Sequence, residues 1–241
     1  MKMIPSICMA LTLLLGDAGN LALAGGELPV SHGSLPLAAP QGQQRLFASG
    51  RRAPYWVLAN YFETQTNQAY CSVASSVIAL NALGVPRPMT SQYPDYPFFT
   101  QASFFARVAP GSLDVDAVAT TGLTMEQLAA VLATYPVTVR RKYASDMSLT
   151  AFRAALRQEL SMNDRVVLVN FDRKALRELG GGHWSPLAAY HAASDTVLLL
   201  DVARYKYPSL WVPVSELYAG ARSIDDASGR SRGMLILERN R

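Results

Sequence analysis

The stretch TQTNQAYCSVASSVIALNALG, Thr64 to Gly84, turns from a polar loop into an apolar run at one residue, Cys71. Beyond it, Val73, Val77 and Leu80 recur on one stripe with Ala74 and Ile78 beside them, and the run stops at Gly84 with Pro86 beyond. This spacing predicts a buried helix with Cys71 in its first turn. Unpaired N–H groups there put partial positive charge near the sulfur, which lowers a thiol pKa and favours the nucleophilic thiolate. The same position also suits a small buried hydrophobe, the commoner fate of a lone cysteine.

Only one other cysteine occurs in the 241 residues, Cys8. Residues 1–24 carry Lys2, an apolar run from Met3 to Leu15, and small residues ending Ala22-Leu23-Ala24. That is the order of a secretory signal, with an apolar run short of the ~20 residues a membrane span needs. Cleavage after Ala24 is expected, with export to the periplasm or beyond. It would remove Cys8 and leave Cys71 without a disulfide partner in an oxidising compartment, where a lone thiol is a liability unless used or buried.

Half of the residues are hydrophobic and 17% are charged, enough to build one substantial core. The net charge is +4, but the basic residues are scattered and not interleaved with aromatics, which argues against nucleic acid as a partner. Residues 25–45, rich in Gly, Pro, Ser and Gln, read as an extended arm without a core, and residues 46–241 as one domain. Further helices are predicted at Gln101–Ala106, at Thr124–Leu132 with Thr124 as cap and Gln127 three residues on, and at Ser148–Leu160. The second half changes to strands: Arg165–Phe171, a hairpin of Leu187–Ala192 and Thr196–Ala203 around Ser194-Asp195, and Met234–Arg239. The expected fold class is α+β, a helical N-terminal half packed on an antiparallel sheet, with a site at the seam.

Three histidines occur: His32 in the arm, His191 at the hairpin's end, and His183 after Gly180-Gly181-Gly182, where a glycine-rich approach lets a ligand come close to backbone. Asp201 is embedded in an apolar run, and an unpaired carboxylate there costs several kcal/mol of desolvation, so it needs a partner. Strands of one hairpin can bring that acid beside the His183 imidazole, with Pro186 a source of a bulge between them. Gln65, six residues before Cys71, offers a side-chain amide to an oxyanion.

The blocks QTNQAYCSVASS, GGHWSPLAAYH and LLLDVARYKYPSLWV resemble the signature blocks of the phytochelatin synthases, over about Tyr55 to Arg239. The resemblance implies a papain-like cysteine protease fold and an enzyme acting on glutathione. It implies Cys71 as nucleophile, His183 as general base and acid, Asp201 as the group orienting the imidazole and Gln65 as oxyanion donor. Ser72 and Trp184 depart from the glycine and the Phe or Tyr expected after the nucleophile and the histidine. The chain ends at Arg241 without the cysteine-rich extension of the plant enzymes, which implies no built-in metal sensing and resembles the short, mainly hydrolytic bacterial forms.

The expected substrate is glutathione, whose γ-glutamyl end carries a carboxylate and an ammonium group. Arg232 for the carboxylate, Asp225 for the ammonium, and Asn170 and Gly182 as further contacts are the candidates, although such charges more often sit on a solvated surface. No cofactor and no metal site is expected, and a heavy metal would enter as the thiolate of glutathione, as substrate. No membrane partner is expected after signal removal, and a homodimer is the self-association considered. Two rivals share these residues: another papain-like peptidase, of the type that trims double-glycine leader peptides, and a non-catalytic protein that binds metal or thiol.

Overall fold

In the computed structural model, which describes residues 28–240, the apolar runs of the second half are strands buried on both faces. Val166, Leu168, Leu235 and Leu237 join the core on one face of a sheet, while Val167, Val169, Met234 and Ile236 join the core on the other. Alternate side chains of a strand point to opposite faces, so a doubly covered strand reads as an unbroken hydrophobic run. The segment read as a secretory signal, with Cys8, lies outside the described residues.

The helices are α1 (Pro40–Ala48), α2 (Tyr55–Asn60), α3 (Cys71–Ala82), α4 (Val115–Thr121), α5 (Met125–Leu132), α6 (Leu149–Glu159) and α7 (Val214–Arg222). The strands are β1 (Leu35–Pro36), β2 (Val137–Tyr143), β3 (Arg165–Asp172), β4 (Gly182–His191), β5 (Thr196–Leu199), β6 (Leu210–Pro213), β7 (Ile224–Asp225), β8 (Arg230–Ser231) and β9 (Gly233–Arg239). Seven strands form one sheet in the order β1-β6-β5-β4-β3-β9-β2, with every pairing antiparallel, and β7 and β8 form a separate ribbon.

The fold is α+β, but the sheet is a middle layer and not one half of the molecule. Leu58, Val73, Ile78, Leu128 and Leu132 from the front-half helices cover one face, and Phe152, Leu156 and Leu217 from α6 and α7 cover the other. β2 escapes the sequence reading because VTVRRKY carries charges in its middle, which an edge strand beside β9 tolerates. The helix expected at Gln101–Ala106 is a 3₁₀ turn, Gln101–Ser103. Thr100 and Ser103 close a capping box around it, and Phe104 then turns into the core against Tyr135.

The expected arm is also part of the core. Leu35 in β1 pairs with Trp211, α1 begins at Pro40, Leu46 is buried, and the Trp211 indole N–H donates to the Gly42 carbonyl at 3.0 Å. A Cβ on Gly42 would lie 2.1 Å from the Pro36 carbonyl oxygen, so only glycine permits this approach. The glycine that suggested looseness is a requirement of tight packing.

Candidate active site

Helix α3 starts at Cys71 and is buried from Cys71 to Asn81, with the Ser75 hydroxyl donating to the Trp184 carbonyl of β4 at 3.2 Å. That fixes the helix's first turn against the start of β4, where His183 is the second residue and sits opposite Phe171 of β3. Asp201 lies two residues past the end of β5. The register between β4 and β5 shifts between Leu187 and Ala189, next to Pro186, and the Leu200 N–H donates to the Pro186 carbonyl at 3.0 Å. The slip carries Asp201 to the imidazole: Asp201 Oδ1 is 2.9 Å from His183 Nε2. Ser185 Oγ is 3.1 Å from the same nitrogen, and the imidazole is near enough to Cys71 for each group to shift the other's titration.

The three groups set one another's charge. Burial pushes the Cys71 thiol up, but the His183 hydrogen bond and charge, the Trp184 backbone N–H and the Arg173 charge outweigh it and bring the pKa below the ordinary thiol range. Burial pulls His183 down and Asp201 pulls it further up, so the imidazole holds its proton above the usual histidine range. Asp201 is wholly buried, yet the His183 charge and hydrogen bond, with Arg173 and the Ala203 N–H at 2.8 Å, bring it down to about 2. Both shifts run toward a thiolate beside an imidazolium.

Arg173, which sequence reasoning missed, completes the network. One of its guanidinium nitrogens lies 2.9 and 2.7 Å from the two oxygens of Asp201, another bonds Glu178, and all three side chains are buried. Glu178 is raised above the usual carboxylate range by burial, against the pull of Arg173. The Arg173 side chain also lies over the Tyr207 ring, 5.0 Å from its centroid. The only sequence signal for it was Asp201 itself: a buried carboxylate needs countercharge, but nothing in the sequence names the cation that supplies it.

A cavity of about 280 Å³ is lined by Cys71 together with Asn170, Gly182, Trp184, Asp225 and Arg232. Arg232 donates to Asn170 Oδ1 at 3.2 Å and Ser223 Oγ at 3.2 Å, and lies 3.6 Å from Asp225 Oδ1. The structure thus brings the four sequence-predicted binding residues to the nucleophile instead of to open surface. The Trp184 indole N–H donates to the Leu123 carbonyl at 3.1 Å and forms a fixed wall. Ser72 is fully buried, with its hydroxyl unpaired among the described residues.

Gln65 lies in the adjoining cavity with Arg173, His183, Tyr205 and Lys206. Its amide nitrogen donates to the Asn67 carbonyl at 2.7 Å and to the Tyr205 hydroxyl at 3.1 Å, so both amide hydrogens have partners. Among the described residues no three His, Cys, Asp or Glu side chains group to hold a metal ion. His191 has Ser194 Oγ at 2.7 Å as its partner, and Arg204 lies over the Phe62 ring at 5.2 Å.

A thiol paired with an imidazole, itself oriented by a carboxylate, is the arrangement of a cysteine acyl-transfer site. The chain belongs to the phytochelatin synthase family, whose model, described as phytochelatin synthase, matches residues 26–234. A glutathione gamma-glutamylcysteinyltransferase 1 of Lotus japonicus is 30% identical over 224 residues, covering 91% of this chain and 44% of that protein. The glutathione gamma-glutamylcysteinyltransferase of Schizosaccharomyces pombe is 28% identical over 194 residues, 80% of this chain and 45% of that one. For glutathione gamma-glutamylcysteinyltransferase 1 of Arabidopsis thaliana the values are 29% over 190 residues, 79% and 38%. The chain spans less than half the length of these curated relatives.

Proposed function

We propose that this chain has a papain-like fold and cleaves the Cys-Gly amide of glutathione through a thioester on Cys71. The thiolate attacks the cysteinyl carbonyl carbon, a C–S bond forms, and the π pair moves to oxygen. The intermediate collapses, the C–N bond breaks, and the imidazolium of His183 gives its proton to the departing glycine amine. Water, deprotonated by the now neutral His183, then releases γ-glutamylcysteine. A second glutathione in place of water would give the longer phytochelatin chain. Hydrolysis is the main route in this reading, and heavy metal enters only as a thiolate of the substrate. Export through residues 1–24 belongs to the same proposal.

The reading is carried by one observation: the thiol shares its cavity with an arginine and an acid suited to the γ-glutamyl carboxylate and ammonium groups. Incubation of the purified protein with glutathione, with and without cadmium, tests it. The expected products are glycine and γ-glutamylcysteine, with a γ-glutamylcysteinyl adduct on Cys71 by mass spectrometry. Glutathione that binds but is never cleaved would end the proposal.

A further inference from the structure

A second cavity of about 280 Å³ adjoins the one that holds Cys71, and the function proposed above assigns it no part. His183 lines it together with Gly180, Gly181 and Lys206, while Gly182 lines both cavities, so the two meet at the start of β4. This division follows the bond to be cut. The carbonyl carbon has to sit at the Cys71 sulfur, and the amide nitrogen has to be within reach of His183, which protonates it. The γ-glutamyl end then occupies the cavity of Arg232 and Asp225, and the residue attached to the nitrogen extends toward the cavity of His183. In glutathione that residue is a glycine, one methylene and a carboxylate.

Two cations line this second cavity, and one of them is already committed. Arg173 bonds both oxygens of Asp201 and also Glu178. The half-buried Lys206 ammonium has no hydrogen-bond or ion-pair partner among the described residues; Asp201 and Glu178 act on it only through space, against the charge of Arg173. A partly desolvated ammonium gains from an anion brought to it. Burial holds it below the ordinary lysine range, and an incoming carboxylate would raise it again.

The turn before β4 is shaped around that ammonium. Gly180 has a φ of +120°, which side chains rarely adopt, and a Cβ there would lie 3.0 Å from Lys206 Nζ and 3.2 Å from Arg173 Cδ. A Cβ on Gly181 would meet nothing within 4 Å, so the space beyond the turn is open. The Arg173 N–H donates to the Gly181 carbonyl at 3.1 Å, which ties the turn to the arginine that holds Asp201. Neither the Gly180 nor the Gly181 N–H has a protein acceptor among the described residues, which leaves two exposed donors on the same turn. From the other side, the Lys206 N–H donates to the Ala203 carbonyl at 2.7 Å and fixes the lysine on the turn that follows Asp201. The close backbone approach suggested by three glycines in a row is found here.

We propose that this cavity is the subsite for the amine half of the substrate, in which the Lys206 ammonium pairs with the terminal carboxylate of the departing glycine while His183 protonates its nitrogen. The inference rests on the acyl-enzyme reading above. Glutathione then lies across Cys71 and His183 with a carboxylate gripped at each end, one by Arg232 and one by Lys206. The Lys206 contact forms and breaks no covalent bond: the C–N bond breaks, the His183 proton goes to the amine nitrogen, and glycine leaves with its carboxylate unchanged. A longer peptide has no free carboxylate at that position, so Lys206 selects glutathione against the leader-peptide substrate of the rival reading.

The test compares glutathione with its glycine-amide form, whose terminal carboxylate is neutralised, as donors of the Cys71 thioester in the parent, Lys206→Gln and Lys206→Arg. The parent is expected to favour the free acid in kcat/KM by about tenfold or more, the worth of a hydrogen bond to a charged group. Lys206→Gln should bring that ratio to within about twofold of unity, and Lys206→Arg, which keeps the charge, should retain most of it. Both substrates meet the same protein, so the ratio cancels general damage to the fold. A parental ratio retained in Lys206→Gln, an equal loss with both substrates included, or a parent indifferent to the amide would overturn the proposal. No thioester from either substrate in the parent would instead overturn the acyl-enzyme reading, and this inference with it.

Discussion

Arg173 grips Asp201 by both carboxylate oxygens, at 2.9 and 2.7 Å from a single guanidinium nitrogen, while Asp201 holds His183 at 2.9 Å. The acid that orients the imidazole is thus itself oriented. Arg173 spans Asp201 and Glu178 at once, which suits a rigid planar fork better than an ammonium point charge.

Removing the fork leaves two buried acids uncompensated. Arg173→Met is expected to destabilise the fold by about 3 to 5 kcal/mol, read from denaturant midpoints. It should also lower kcat about 10²-fold as the imidazole loses its alignment. Arg173→Lys is expected to recover stability in part and kcat less, since one ammonium cannot hold both carboxylates in place.

The nucleophile and its base are both buried, so the test of their chemistry needs substitutions that keep the surrounding contacts. Cys71→Ser nearly conserves volume, and His183→Ala leaves the Asp201–Arg173 pair whole. Both are expected to abolish glycine release, and Cys71→Ser to shift stability by less than about 1 kcal/mol. Unfolding of Cys71→Ser like a cavity mutant would mark the residue as core.

The pH profile follows from the direction of each shift. Cys71 is shifted below the ordinary thiol range and His183 above the ordinary histidine range, and both directions favour the thiolate–imidazolium pair. A bell-shaped kcat/KM is expected, its acid limb from protonation of the thiolate and its alkaline limb from loss of the imidazolium, as macroscopic constants of the pair. Stability has its own window. Asp201 is depressed to about 2, so its contribution is full above its unfolded value and is lost as pH falls toward about 2; the shift is worth on the order of 2 kcal/mol. His183, raised, stabilises below its unfolded value, and that contribution is lost as pH rises through the folded one. Acid and alkaline denaturation followed by circular dichroism reads both.

Gly182 reports on the binding cavity. A Cβ there would come within 2.3 Å of an Arg232 guanidinium nitrogen, and Asn170, Ser223 and Asp225 restrain that side chain. Gly182→Ala is expected to raise KM about tenfold with a smaller loss of kcat, since it disturbs ground-state binding. Arg232→Lys should do the same by losing the bidentate fork. An unchanged KM in both would remove the cavity from substrate recognition.

The legible part of the site was the part with a chemical signature at a chain break. Cys71 announces itself at a polar-to-apolar seam, His183 follows three glycines, and Asp201 is a charge inside an apolar run. Arg173 and Glu178 were not legible, because charges after a strand ordinarily face water; only tertiary burial turns them inward. In the fold, β3, β4, α3 and α5 followed from periodicity and caps, with Thr124 and Gln127 closing the expected box. β2 and α1 did not, since one is an edge strand carrying charges and the other depends on Gly42 packed against the Pro36 carbonyl of the preceding strand.

The Leu28 N–H donates to the Lys206 carbonyl at 2.9 Å, one residue from Tyr205. Any affinity handle fused ahead of that point would emerge beside the reactive turn and crowd it. The end of β9 at Arg239 is paired with β2 at the sheet's opposite margin, so a fluorophore attached at that position would stand clear of the turn.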